Sequence, residues 1–265
     1  MIPIKDQNGI EAMRISGRAV GETLEALSKL IQPGVSTGEI DQAAAEFIIE
    51  KGGTSAFLGY RGFPGHVCIS VNEEIVHGIG GKRRLQYGDI VKIDVGIIID
   101  GWVGDSAMTF AVGAPHADSQ RLMDTTRDAL WNGIRKAIAG RRLGDVSHAI
   151  EKTIVDAGMG VVREFVGHGV GRKLHEEPQI PNYGSKGTGP KMKPGMILAI
   201  EPMVNLGSAE IKMMSDGWTV VAADGKPSCH MEHTVLITDD LPEILTPRPS
   251  LEIPEGMVAS PAPII

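Results

Sequence analysis

Asp94 and Glu201 are charged residues in surroundings that least suit a charge: one lies in the run Ile90 to Ile99 and the other in Met196 to Met203, both otherwise almost wholly apolar. A carboxylate in such a run is largely desolvated and needs a strong partner. Asp100-Gly101 separates two β-rich stretches, 90 to 99 and 102 to 111, and predicts a two-residue hairpin turn. That turn sets Asp94 opposite Ala107 and makes Asp105 its diagonal neighbour on the same face, about 7 to 8 Å away and within reach of one shared ion. Glu232, in the stretch Cys229 to Ile237, supplies the corresponding second carboxylate beside Glu201. Two carboxylates cannot compensate each other, so a cation must lie between them. Four such groups match the charge of two divalent metal ions.

His168, in Gly167-His168-Gly169, is flanked by small residues that let backbone approach closely, a setting suited to a ligand and unusual for a packed histidine. Taken singly, an Asp in a strand is usually a satisfied structural group and a lone His is seldom a ligand. Taken together, the set reads as a metal centre. Oxygen-rich ligation with one imidazole favours Mn, Fe(II), Co or Zn over a thiolate site, and the ligands alone do not choose among them.

An internal repeat positions these residues. Gly34, Gly38, Glu39 and Ile40, followed by a helical segment ending at Gly52, recur without a gap as Gly140, Gly144, Asp145 and Val146 with a segment ending at Gly158, each position displaced by 106 (140 − 34). Gly88 with Asp94 recurs as Gly195 with Glu201. Each copy reads as helix, helix, loop and an apolar strand carrying one carboxylate, so two related halves are expected to face each other about a pseudo-twofold. Helices are expected from about Met13 to Ile31, after Ser36 (which with Glu39 makes a capping box), and over 122 to 139 and 145 to 157. Strands are expected over 196 to 204, 218 to 223 and 229 to 238, the last two joined by a turn at Asp224-Gly225. One domain is expected over residues 1 to 248. A Pro-rich tail, 249 to 265, reads as extended and flexible.

Composition narrows the partners. With 26 basic and 33 acidic residues the net charge is −7, which argues against general affinity for nucleic acid or anionic membranes and leaves a small molecule or peptide. No apolar run approaches the roughly 20 residues needed to span a bilayer, and the N-terminus has no signal-like apolar segment, so a cytoplasmic protein is expected. Two cysteines, Cys68 and Cys229, make neither a disulfide framework nor a zinc ribbon. Glycine is in excess, at 34 of 265 residues and in no short repeat, and so belongs to tight turns and close contacts. Around Gly59 to Gly65 and Gly167 to Gly171 it is expected to build rigid backbone walls beside the metals. A monomer is the default.

The set Asp94, Asp105, His168, Glu201 and Glu232, carried in IDVG, GDSA, GHGVGRKLHEEP, AIEPM and MEHTV, resembles type I methionine aminopeptidase from about residue 4 to 248. Prolidase-like relatives carry a separate N-terminal domain, for which a first ligand at residue 94 leaves no room. Type II relatives carry an insertion between the last two glutamates, which here are only 31 residues apart (232 − 201). Without a Cys/His-rich N-terminal extension the chain resembles the short, bacterial or organellar kind. A non-catalytic relative, which loses ligands, is the other class of reading; this chain keeps all five.

The resemblance implies an α/β (α+β) pita-bread fold, two pseudo-twofold halves around a curved antiparallel sheet. It further implies a cytoplasmic hydrolase with two divalent metal ions and a bridging hydroxide, removing the initiator methionine from nascent chains, also at the ribosome, when the second residue is small. Glu201, beside the bridging solvent, is the proton shuttle in this reading. His77 and His175 match the two non-ligand histidines that bind substrate and stabilise the tetrahedral intermediate. Tyr60, Phe63, Cys68 and Trp218 match the methionine pocket together with His77. Phe57, Phe63 and Leu174 depart from the commoner residues there and bear on pocket size. Asn72 and Ser228 match positions that hold a monovalent cation, although both also suit ordinary turns. His66, His116, His148 and His230 carry no such match and are read as structural or exposed.

Overall fold

In the computed structural model, which describes residues 2–261, the internal repeat is visible as geometry. Helix α1 (Gln7–Ser28) and α2 (Thr37–Glu50) are answered by α3 (Ala117–Ile134) and α4 (Leu143–Asp156); α2 and α4 have 14 residues each and start 106 positions apart. The glycines that punctuate them are matched in conformation: φ is 91° at Gly34 and 88° at Gly140, and 73° at both Gly52 and Gly158. These left-handed positions suit glycine, which explains why the repeat keeps glycine where other residues drift. Ser36 and Glu39 close the expected capping box on α2. On α4 Asp145 accepts from the Arg142 N–H at 3.1 Å.

In the first half, β1 (Thr54–Ser55), β2 (Cys68–Val71) and β5 (Trp102–Ala111) pair with β4 (Ile90–Ile99), while β3 (Glu74–Val76) leaves that sheet. The β4–β5 hairpin has the register read from Asp100-Gly101, with Asp94 opposite Ala107 and Gly96 opposite Asp105. In the second half, β6 (Gly160–Val161), β7 (Gly167–Gly169), β8 (Glu176–Ile180), β9 (Ile197–Ile200) and β10 (Met203–Asn205) are followed by six short strands. These are β11 (Ile211–Met213), β12 (Val220–Ala222), β13 (Ser228–His230), β14 (His233–Leu236), β15 (Glu243–Ile244) and β16 (Val258–Ala259). A six-stranded sheet has the order β16-β15-β14-β9-β7-β8, antiparallel except for the β15–β16 pair. The halves meet where the Glu232 N–H donates to the Ala107 carbonyl at 2.8 Å and the Thr234 hydroxyl donates to the Asp105 carbonyl at 2.6 Å. α1 and α2 pack on one sheet around Val20, Leu24, Ile40 and Ile93, and α3 and α4 on the other around Leu130, Ile150 and Leu198, all buried.

Four expectations are corrected. The run 196 to 204 is interrupted at Glu201-Pro202, and 229 to 238 at Met231-Glu232, because Pro202 lacks an N–H for the ladder and both glutamates turn into the molecule. The turn after β12 exists, closed by Gly225 N–H to the Ala222 carbonyl, but β12 pairs with β3 and β11 while β13 pairs with β10. Helix α3 begins at Ala117, five residues ahead of the expected start, because the His116 side chain caps the Asp118 N–H. The tail does not leave the body at 249: Val258–Ala259 add to the edge of β15, and Met257 is buried. Its last four residues lie outside the described ones. Among the described residues no helix is long and apolar enough to cross a membrane.

Candidate active site

The two halves place the eleven candidate ligand, catalytic and methionine-pocket residues around one cleft of about 440 Å³. Strand alternation directs Asp94 and, across the hairpin, Asp105 to its floor. β7 contributes His168, paired in register with Ala199 on β9. Glu201 and Glu232 enter from the two strand breaks. His168 Nε2 lies 3.4 Å from Glu201 Oε1 and 3.6 Å from Asp105 Oδ2. One ligand atom each from Asp105, His168 and Glu232 lie within 4.8 Å of one another.

Burial makes this cluster demanding. Asp105, His168 and Glu232 are 4%, 7% and 3% exposed, which takes three potential ligands out of water. Asp94 Oδ1, Asp105 Oδ1 and Glu232 Oε1 are buried without a hydrogen-bond partner among the described residues. Desolvation pushes the Asp94 carboxyl up to about 7, with the Glu201 charge adding to the rise and His230 opposing it. Desolvation first, and neighbouring carboxylates second, raise Asp105 and Glu232 well above the usual range; desolvation does the same to Glu201. These orphaned acceptors fit divalent cations, for which oxygen donors with an imidazole are a suitable set. Desolvation lowers His168 to about 4, so its ring is neutral near pH 7. Its Nδ1 lies 2.9 Å from the Gly169 carbonyl, so the proton sits on Nδ1 and the Nε2 lone pair faces the carboxylates.

The non-ligand residues surround this floor. His175 Nδ1 is 3.0 Å from the Tyr60 hydroxyl, and its ring centre lies 4.3 Å from that of His168. His77 is held at φ 59° and packs edge-on to Phe165 and Trp218 at 5.3 and 6.3 Å. Burial lowers its imidazole to about 4. Phe63 meets Trp218 edge-to-face at 5.2 Å, and Cys68, paired with Asp94 across β2 and β4, has a thiol pushed well up by desolvation and the nearby Asp94 charge. Phe57 and Leu174 also line the cleft.

Three site expectations change. The glycines of 167 to 171 do not form a wall, and the segment 59 to 65 lines the cleft through Tyr60, Arg61 and Phe63, not through its glycines. A Cβ at Gly167 would come within 2.4 Å of the Ala199 carbonyl, and one at Gly169 within 2.2 Å of the Glu177 carbonyl, so these glycines serve strand packing. The cleft is walled by side chains, chiefly Phe57, Tyr60, Phe63, Phe165 and Trp218. His230, read as structural or exposed, is a site residue: it is 2% exposed, lines the cleft, and its Nε2 is 3.5 Å from Glu201 Oε2. The period of two from Glu232 was the available signal. Finally, the Asn72 and Ser228 carbonyls do converge, but on Lys92 Nζ, at 2.7 and 3.0 Å. A monovalent cation does not fit where that ammonium sits. Lys92 was overlooked, although a lysine in an apolar strand was itself a signal.

Residues 11–239 match the model of metallopeptidase family M24. The chain is 50% identical over 246 residues to methionine aminopeptidase 1 of Bacillus subtilis, covering 93% of this chain and 99% of that one. It is 48% identical to methionine aminopeptidase of Clostridium perfringens at the same coverage. The crystal structure of methionine aminopeptidase from Rickettsia prowazekii superposes with a TM-score of 0.91, at 38% identity and covering 93% and 100% of the two chains. A prolidase from Pyrococcus furiosus, at 23% identity and TM-score 0.74, shares the fold, with the chain covering 65% of it. The fold is thus the pita-bread fold of these enzymes, and the chain belongs to the methionine aminopeptidases of metallopeptidase family M24.

Proposed function

We propose that this chain removes the N-terminal methionine from nascent proteins and peptides, and that it does so with two divalent cations held by Asp94, Asp105, His168, Glu201 and Glu232. The observation that carries this reading is the buried convergence of Asp105, Glu201 and Glu232 on one neutral imidazole, with Asp94 lining the same cleft and acceptor atoms left unpaired. When bound there, divalent cations supply an activated water near neutral pH and polarise the scissile carbonyl.

The protein's own groups account for the rest of the reaction. Glu201, with a second oxygen facing His230, is placed to accept a proton at one carboxylate oxygen and pass it to the departing amine. His77 and His175 are both shifted toward the neutral form by desolvation, and each donates through a ring N–H to the developing oxyanion or the substrate carbonyl. Tyr60 fixes the His175 ring. Phe63, Cys68, Trp218 and the face of His77 offer an apolar surface for a thioether, which forms only weak hydrogen bonds. Side-chain walls also limit the second residue. A change there from Ala to Leu is expected to lower kcat/KM by about 10-fold to 100-fold. The protein acts as a monomer in the cytoplasm on chains emerging from the ribosome.

The test is release of methionine from Met-Gly-Met-Met and from a Met-Leu peptide by protein stripped of metal and reloaded with Mn, Fe(II), Co or Zn. Release from the first, dependent on the metal and much slower from the second, is expected. No release from either with any metal would leave a binding protein of the same fold.

A further inference from the structure

Among the described residues Lys92 is the largest fully buried side chain, 1% exposed on β4, flanked by Ser70 on β2 and Thr109 on β5. Both partners of its Nζ are main-chain carbonyl oxygens, those of Asn72 and Ser228. Convergent carbonyl oxygens are how proteins hold alkali cations. The carbonyls are fixed independently of the lysine. Asn72 sits at φ 52°, its amide donates to Asp89 at 2.9 Å, and its side-chain oxygen accepts from the Ile90 N–H at 3.0 Å. The Ser228 N–H donates to the Asn72 carbonyl at 2.9 Å, and the Ser228 hydroxyl to the Val204 carbonyl at 3.0 Å.

The position matters because three segments of the cleft start there. Lys92 and Asp94 are two apart on one strand and share a face. Asn72 begins the turn that leads through β3 to His77, and Ser228 begins β13, which leads to His230 and Glu232. We infer that Lys92 is a built-in monovalent cation: its ammonium ties these three segments together across the two halves, and the chain therefore needs no sodium or potassium ion for an ordered cleft. Lys92 is a positioning residue, since it touches none of the candidate ligands.

The inference is independent of which peptide is cleaved, and its test reads stability. Tm of the metal-loaded protein is measured in potassium, sodium and choline chloride at matched ionic strength, for wild type, Lys92→Ser and Lys92→Met. Wild type is expected to show one Tm in all three salts. Lys92→Ser, which opens room for an ion on the same carbonyls, is expected to lose stability in choline and regain about 5 °C or more in potassium or sodium. Lys92→Met fills the space without charge, and its lowered Tm is expected to be the same in all three. A saturable rise of the wild-type Tm in potassium or sodium over choline would show that an ion binds despite the lysine, and would overturn the inference. So would a Lys92→Ser protein indifferent to the cation. If Lys92→Ser yields no folded protein, Lys92→Gln goes through the same comparison and the wild-type salt series still decides.

Discussion

His77 shows what a single residue contributes and how it is held. A non-glycine residue at positive φ is uncommon, and here it aims the imidazole across the cleft, edge-on to Phe165 and Trp218. His77→Ala is expected to lower kcat/KM by about 10² or more, as loss of an oxyanion donor does, with metal content unchanged. Loss of bound metal measured by elemental analysis would instead make it a ligand. His233 lies outside the cleft, stacked on Trp131 with ring centres 5.1 Å apart and Nδ1 2.9 Å from the Thr246 hydroxyl. Desolvation lowers it to about 3 from an ordinary 6.5, so the unfolded chain binds a proton there that the folded one refuses. Its effect on stability is therefore absent above about pH 6.5 and grows as pH falls toward 3. Metal-free His233→Gln is expected to lose Tm less steeply than wild type between those limits, because the carboxylate contributions cancel in the comparison. Parallel curves would show that His233 takes up its proton in the folded state. At this scale Asp94 and Glu201 stood out because charge in apolar sequence is conspicuous, and His168 because glycines flank it. His230 did not, because its neutral ring is unremarkable until the fold brings it to Glu201, a residue distant in sequence.

Elements were legible where local chemistry decides them. Asp100-Gly101 set the hairpin register, and Ser36 with Glu39 set the start of α2. They were illegible where a distant contact decides: nothing local says that β12 prefers β3 to its neighbour β13, or that Glu201 and Glu232 end their strands by turning into the cleft. The reading of Gly167 to Gly171 as walls failed for the same reason, since only the partner strands reveal why a side chain is forbidden there. Gly167→Ala tests the corrected role. The new methyl meets the Ala199 carbonyl on β9, so β7 must shift and carry His168 with it. A loss of about 1 to 3 kcal/mol in denaturant unfolding is expected, with weaker metal binding. Unchanged stability with altered second-residue preference would return this segment to the wall of the cleft.

At the scale of the whole molecule, duplication explains why a centre of one imidazole and four carboxylates can be buried at all: each half brings its own strand with a carboxylate, and the contact between halves closes over both. The chain beyond 248 is the part that duplication does not supply, and its proline content concealed how it is held. Met257 is buried in the second-half core, and Leu251 and Ile253 pack against it. The Ser260 N–H donates to the Ile244 carbonyl at 2.9 Å, and Arg18 of α1 donates to the Ser260 carbonyl at 3.3 Å. These contacts give the segment a stabilising role, and burying one such methionine is worth about 1.5 to 3 kcal/mol. A chain ending at Arg248 is therefore expected to fold with a Tm lower by about 5 °C, on the scale of 2 to 4 °C per kcal/mol. Its activity and metal content are expected to be unchanged, because β16 is at one edge of the six-stranded sheet and β7, with His168, lies four strands away. A calorimetric scan of both chains, with metal content and kcat/KM measured on each, makes the comparison. An unchanged Tm would put the domain boundary back at 248, whereas lost metal with a small change in Tm would mean that the edge strand reaches the site through β14.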